Sequence, residues 1–335
     1  MESKRFAVRR AAALCGGLLL ALQGAARADD PGDVAAAAAA VAAVSSSAGQ
    51  DPLAARPELV GAELSWPPSF AVGGGWSAQP IPRGDLYPRY VADPRRPRFS
   101  VQMMRLFDTE VEGGGDGRVA VNLGGRYNFL RLHPDGDPDR GFQLDIEAGF
   151  HGQFDAGSSL DSVGWEGYYG LGLSWRPTES LALRLAMNHD SSHIGDEYQE
   201  NNEERERINY TREELALGIS WSPVERLRLY GEVGWAYHRG NNQLLDRARL
   251  QAGIEYETAP ILWGDGALYV GLDAVLWQED GWEPSVTVQT GVKWHIEALE
   301  RDYRLGLQFY DGRSQIGEFF QDRERYLAFG FWFDL

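Results

Sequence analysis

The 335 residues carry a formal net charge of −17, 12% aromatic side chains and a single cysteine. The acidity argues against a nucleic-acid partner, and one cysteine cannot build a disulfide framework. Length alone permits one or two domains.

The chain opens with Lys4, Arg5, Arg9 and Arg10, then an apolar run from Ala11 to Leu22, then Ala26-Arg27-Ala28. Basic residues, an apolar stretch and a small-x-small site define a secretory signal peptide over residues 1–28. The cysteine, Cys15, lies inside this leader, so the mature chain has none. Removing the leader, with its five basic residues and one acid, takes the net charge from −17 to −21. Residues 29–80 read as a low-complexity, mobile lead-in, nearly pure alanine and valine over Ala35–Ala43 and then rich in Ser, Pro and Gly. Residues 81–98, with frequent Pro and Arg, read as an irregular periplasmic segment leading into the fold. No apolar run of eighteen residues follows the leader, so helical membrane spans are not expected.

From Phe99 the chain divides into short alternating runs separated by turn residues. Candidate strands lie near 99–107, 118–130, 141–153, 165–176, 181–191, 208–221, 227–239, 246–257, 267–278, 285–296, 303–310 and 323–335. One face of each is aliphatic and aromatic, as in Tyr169, Leu171, Leu173 and Trp175, or Leu227, Leu229, Val233 and Trp235. The other carries Asp145, Glu147, Arg184, Arg228, Glu232, Gln251, Glu255, Asp273, Gln289 and Lys293, interleaved with glycine. Strands of about ten residues with aromatics at their ends suit a bilayer better than a soluble sandwich. The expected fold is all-β: a transmembrane antiparallel β-barrel of about twelve strands, of outer-membrane type, over residues 99–335. An even count returns both termini to the periplasm. It makes Pro177–Ser180 and Ser222–Arg226 periplasmic turns and the longer connections 108–117, 154–164, 192–207 and 311–322 external. The connection 131–140 is long for a periplasmic turn. A barrel this narrow is expected to fill its lumen with paired charges (Arg184, Arg228, Glu232, Glu255, Asp273, Lys293) rather than line a pore.

The last strand puts Leu327, Phe329, Phe331, Phe333 and Leu335 on one face and Tyr326, Ala328, Gly330, Trp332 and Asp334 on the other. It resembles the closing strand of Gram-negative outer-membrane barrels, which usually end in Phe. The resemblance implies the outer membrane as location and the barrel assembly machinery as a partner.

The stretch Asn188-His189-Asp190-Ser191-Ser192-His193-Ile194-Gly195-Asp196-Glu197-Tyr198 interrupts the apolar pattern. Leu181, Leu183, Leu185 and Met187 define the lipid-facing parity, which places His189 and Ser191 on the same outward face. Ten residues from Leu181 to Ser191 cover about 34 Å of strand, or about 26 Å of height at a tilt near 40°. Both side chains then sit at the outer rim, where lipid esters lie. On the next strand, Leu215, Leu217, Ile219 and Trp221 set a parity that brings Glu213, Thr211 and Asn209 outward. A serine needs a base, and the base needs a third group to fix its tautomer. The expected roles are Ser191 as nucleophile, His189 as general base, and Asn209 or Glu213 as orienter.

His189-Asp190-Ser191 resembles the His-x-Ser motif of outer membrane phospholipase A, a twelve-stranded barrel whose catalytic Asn opens the following strand. Arg207-Ile208-Asn209 is the match to that Asn here. The motif is also similar to that of the lipid A 3-O-deacylase barrel, which uses a Glu, and Glu213 fits that place. The phospholipase motif continues with Asn-Gly, whereas Ser192-His193 follow here. Calcium is implied by this resemblance alone, and no cofactor is expected from the residues themselves. Across most of the mature chain, Gly84-Asp85-Leu86-Tyr87-Pro88, Val91 to Ser100 (VADPRRPRFS) and Ser191 to Glu197 (SSHIGDE) resemble the bacterial domain of unknown function numbered 1207. That family implies no activity.

The favoured expectation is therefore a serine-dependent acyl-ester hydrolase acting on outer-leaflet phospholipid or lipid A, with outer-membrane lipid as its partner. The alternative is a non-enzymatic barrel, either a structural protein or a narrow pore. A metal reading would gather His189, His193, Asp190, Asp196 and Glu197, but Asp190 has inward parity. Gly113-Gly114-Gly115-Asp116-Gly117 precedes no helix and reads as an external loop rather than a phosphate cradle. His133, His151, His238 and His295 read as isolated.

Overall fold

The computed structural model describes residues 68–241 and 243–335. The expected signal peptide, 1–28, and most of the lead-in lie outside the described residues.

Among those residues the chain forms fourteen strands. A hairpin of β1 (Phe70–Gly73) and β2 (Trp76–Pro80) precedes β3 (Phe99–Thr109), β4 (Gly117–Pro134), β5 (Gly141–Asp155), β6 (Asp161–Thr178) and β7 (Leu181–Ile194). A short helix, α1 (Asp196–Asn201), leads to β8 (Thr211–Val224), β9 (Leu227–Arg239), β10 (Ala248–Glu257), β11 (Ala267–Trp277), β12 (Pro284–Ile296), β13 (Arg301–Arg313) and β14 (Arg323–Phe333). Each of β3 to β14 pairs antiparallel with its neighbours, and β14 pairs with β3, so twelve strands close into a barrel. Closure removes every edge that a membrane would leave without hydrogen-bond partners.

Burial runs opposite to that of a soluble protein. Along β7, Ala182, Arg184, Ala186 and Asn188 are buried while Leu185 and Met187 are exposed. Asp145, Asp273, Gln289 and Arg304 are wholly buried in the lumen, whereas Tyr169, Leu217 and Trp235 are more than half exposed outside. Exposed Trp235 and Tyr237 lie toward the outer strand ends, and Trp175, Trp221 and Tyr256 toward the opposite ends. Two such girdles bracketing an aliphatic band suit a wall that faces lipid.

Several boundaries differ from the sequence reading. The β4 strand runs to Pro134, which shortens the long periplasmic connection to residues 135–140. The β8 strand begins at Thr211 rather than 208, because Asn209 takes a left-handed backbone with φ +57°. The tail of the 29–80 lead-in is ordered: β2 adds to β4 from Trp76↔Pro134 to Pro80↔Leu130, and Trp76 stacks on Phe142.

The largest correction concerns residues 81–98, which are irregular but lie in the lumen rather than below it. Pro82, Pro88, Pro94 and Pro97 deny the segment a regular ladder. Its side chains instead meet the inward charges of the wall. Arg96 pairs with Glu232 at 2.6 Å and Arg95 with Glu166 at 3.0 Å. Tyr90 stacks on Tyr230 with centroids 4.0 Å apart, and the Val91 N–H donates to Glu255 at 2.7 Å. Arg98, 2% exposed, donates to the carbonyls of Tyr90, Val91 and Asp93 and so knots the segment on itself. Elsewhere inward charges pair wall to wall, as Arg184–Asp145 at 2.6 Å and Arg249–Glu214 at 2.6 Å, while a cavity of about 370 Å³ stays open among Arg89, Arg228, Glu255, Lys293 and Asp334.

Candidate active site on the outer wall

The outward parity of β7 persists to its end. Ser192 and Ile194 are buried on the lumen side, and His189, Ser191 and His193 keep the opposite face. Register then selects the neighbours. His189 stands opposite Tyr169 of β6 and Glu213 of β8, and Ser191 stands opposite Gly167 and Thr211.

The imidazole of His189 lies flat on Tyr169, centroids 4.4 Å apart and planes 16° apart. Its Nδ1 is 3.6 Å from Glu213 Oε1, with the two side chains 20% and 33% exposed. That Nδ1 is buried and makes no hydrogen bond among the described residues, so Glu213 is its nearest counter-charge, a little beyond bonding range. Gly167 leaves room beside Ser191: a Cβ there would lie 3.4 Å from Ser191 Oγ. Ser191 makes no hydrogen bond with any described side chain, His189 included, and stands two positions along β7 from the imidazole on the same face.

The two candidate orienters separate. Glu213 is brought opposite His189 by the ladder, whereas Asn209 precedes Thr211, is exposed, and does not reach His189 through the register. Two residues outside the sequence-derived set complete the row. Tyr237 of β9 lies beside Glu213, and His238, read as isolated from sequence, stands opposite Glu213 at a bulge. The parity of β9 already put Tyr237 outward with Val233 and Trp235, but it put His238 inward, and only the bulge brings His238 opposite Glu213.

One step toward the membrane midplane from this row lies an apolar groove of about 340 Å³ on the same wall. Leu185, Leu215, Leu217, Val233, Trp235 and Leu250 wall it, with small Ala248 among them.

The metal reading does not hold. Among the described residues no three His, Asp or Glu side chains converge on a metal-sized site. Asp190 faces inward toward Arg95, His193 packs at a tilt against Trp165, and Asp196 lies 3.8 Å from Arg207. These residues do not fit a calcium ion, which needs six to eight oxygen ligands.

The fold and site together define a closed twelve-stranded β-barrel of the outer-membrane type with a polar Ser-His-Glu row on its outward wall. The chain belongs to the family described as "Protein of unknown function (DUF1207)", whose model matches residues 70–335. No curated protein matches it. Among solved structures it is similar to the outer membrane phospholipase (OMPLA) dimer of Salmonella typhi with bound calcium, at 13% identity over 74% of this chain and 95% of that one, TM-score 0.46. It is also similar to LpxR from Salmonella typhimurium, at 10% identity over 71% and 99%, TM-score 0.36. The KdgM porin in complex with disordered oligogalacturonate matches at 8% identity over 70% and 97%, TM-score 0.36. The likeness is one of architecture, shared by proteins of different activities, so function has to be argued from the site.

Proposed function

We propose that this barrel sits in the outer membrane and hydrolyses acyl esters of outer-leaflet lipid, either phospholipid or lipid A. The observation that carries the reading is the Glu213 carboxylate 3.6 Å from His189 Nδ1 on the lipid-facing wall, with Ser191 the next outward residue on the same strand. A charge facing Nδ1 favours the tautomer with its proton there, which leaves Nε2 as the base. Ser191 Oγ attacks the ester carbonyl, His189 Nε2 takes its proton and passes it to the departing alcohol, and water then cleaves the acyl-serine with His189 again as base. The groove beneath the row is where the acyl chain lies, its ester raised to Ser191. Asn209 remains the second candidate for the orienting role. The closing strand β14 is the segment offered to the barrel assembly machinery.

The test mixes purified barrel with phospholipid and with lipid A and follows released fatty acid by mass spectrometry. Wild type is expected to release it and Ser191→Ala to release none. A variant as active as wild type would end the catalytic assignment. A second reading, a sealed structural barrel, is favoured by the segment and ion pairs that occupy the lumen. It expects no lipid cleavage by either protein. The same filling speaks against an open pore.

A further inference from the structure

Where β7 and β8 part at the outer rim, a buried carboxylate holds the corner. The connection between β13 and β14 folds down into the barrel mouth, with Ser314, Ile316 and Phe319 fully buried. Glu318, in its middle, is 2% exposed and makes no ion pair among the described residues. Its Oε2 accepts the N–H of Ile208 at 2.7 Å and its Oε1 accepts the N–H of Tyr210 at 2.8 Å. Its own N–H donates to Ser192 Oγ at 3.0 Å, and the Ser192 N–H donates to the Tyr210 carbonyl at 3.0 Å. One residue earlier, the Gly317 N–H donates to Glu166 at 2.7 Å, the same carboxylate that holds Arg95 of the lumenal segment. A single loop thus ties β6, β7, the start of β8 and the plug.

The two clamped amides flank Asn209, whose φ of +57° is a left-handed conformation that Asn tolerates better than most residues. Two residues on, Thr211 pairs with Ser191, and two more on, Glu213 pairs with His189. A one-residue slip at this end of the ladder would turn Glu213 into the lumen and bring the wrong face of β8 outward. A carboxyl group offers two oxygens side by side, one for each of the two amides, which suits it to holding this corner.

We propose that Glu318 is a positioning residue for the outward cluster. Through Ile208 and Tyr210 it fixes the entrance to β8, so that Glu213 faces His189. Glu318 itself lies on the lumen side of the wall and touches no lipid. The inference rests on the esterase reading.

The test uses full-length barrel in detergent and two readouts: labelling by a fluorophosphonate, in which Ser191 Oγ displaces fluoride from phosphorus as His189 takes the proton, and steady-state lipid hydrolysis. Glu318→Gln keeps the size but turns an NH2 toward one of the two amides, so one bond is lost. Labelling rate and kcat are each expected to fall about tenfold with KM unchanged, while heat-modifiable migration stays that of a folded barrel. Labelling at the wild-type rate, or an effect confined to KM, overturns the proposal. If Glu318→Gln does not fold, Ser192→Ala, which removes the acceptor for the Glu318 N–H, carries the test with an expected fall of about threefold. An unchanged rate in that variant overturns the proposal too. A wild type inert to both probe and lipid removes the esterase reading and the positioning role together. A reactive wild type with an equally reactive Glu318→Gln removes the positioning role alone.

Discussion

His189 is an imidazole on a wall made mostly of aliphatic and aromatic side chains, and it is accommodated by contacts on both flanks. Tyr169 covers one face of the ring and Glu213 faces its Nδ1. An imidazolium formed during ester cleavage would therefore have a carboxylate beside it, in a setting where lipid excludes much of the screening water. Glu213→Gln preserves shape and removes that charge, and should lower kcat by at least about a hundredfold, the loss of the orienting carboxylate costing about 10⁴ in the serine-protease triad. Asn209→Ala should cost less, because the register does not bring Asn209 to the ring. Comparing kcat of the two variants on one lipid decides the third member. The reverse order would assign the role to Asn209.

Two elements carry predictions of their own. The groove over β7 to β10 has Ala248 where its neighbours are large, so Ala248→Phe fills it. Release of long acyl chains should fall about tenfold while a six- or eight-carbon ester is cut as before, since filling removes apolar burial from the long chain alone. Equal losses on both substrates would refute the groove's role. The lumenal segment 81–98 is anchored near the periplasmic mouth by Asp85, which faces Arg89 at 2.8 Å and Arg126 and Arg301 at 3.7 Å each. Burial by itself raises the pKa of Asp85, but Arg89, Arg126 and Arg301 outweigh it and hold the group well below the usual carboxylate range. A carboxylate depressed in the folded state contributes stability above its unfolded pKa and loses it only as pH falls through the folded value. The anchor should therefore persist at pH 5. Trypsin should leave the segment uncut at pH 8 and at pH 5 in wild type, and should cut Asp85→Asn faster at both. A wild-type segment released between those two pH values would contradict this account.

The whole molecule inverts the arrangement of a soluble β-protein, with charge inside and hydrocarbon outside. The inward charges do not add up to a water-filled channel, because wall pairs and the segment 81–98 satisfy them against one another. Wild-type barrel in a planar bilayer should show no ion conductance. Arg96→Ala and Arg98→Ala together remove the segment's ion pair with Glu232 and its internal knot, leaving Tyr90 as its remaining bond to that carboxylate. Discrete conductance steps are the expected result for the double variant. Steady conductance from the wild type would show that the lumen is open to ions despite its packing.

The sequence by itself determined the architecture. Each strand's two-residue period is a local property, so the twelve barrel strands appear in the residues within a few positions of where they form, and the outward parity of His189, Ser191 and Glu213 follows from the same count. The choice between Glu213 and Asn209 was not local. It depends on how β7 and β8 slide past one another and on the left-handed turn at Asn209, held by a carboxylate more than a hundred residues away in sequence. The lumenal course of residues 81–98 was equally hidden. A proline-rich basic segment has no period to read, and its place inside the barrel is set by acids on distant strands, Glu166, Glu232 and Glu255, that converge only once the sheet has closed.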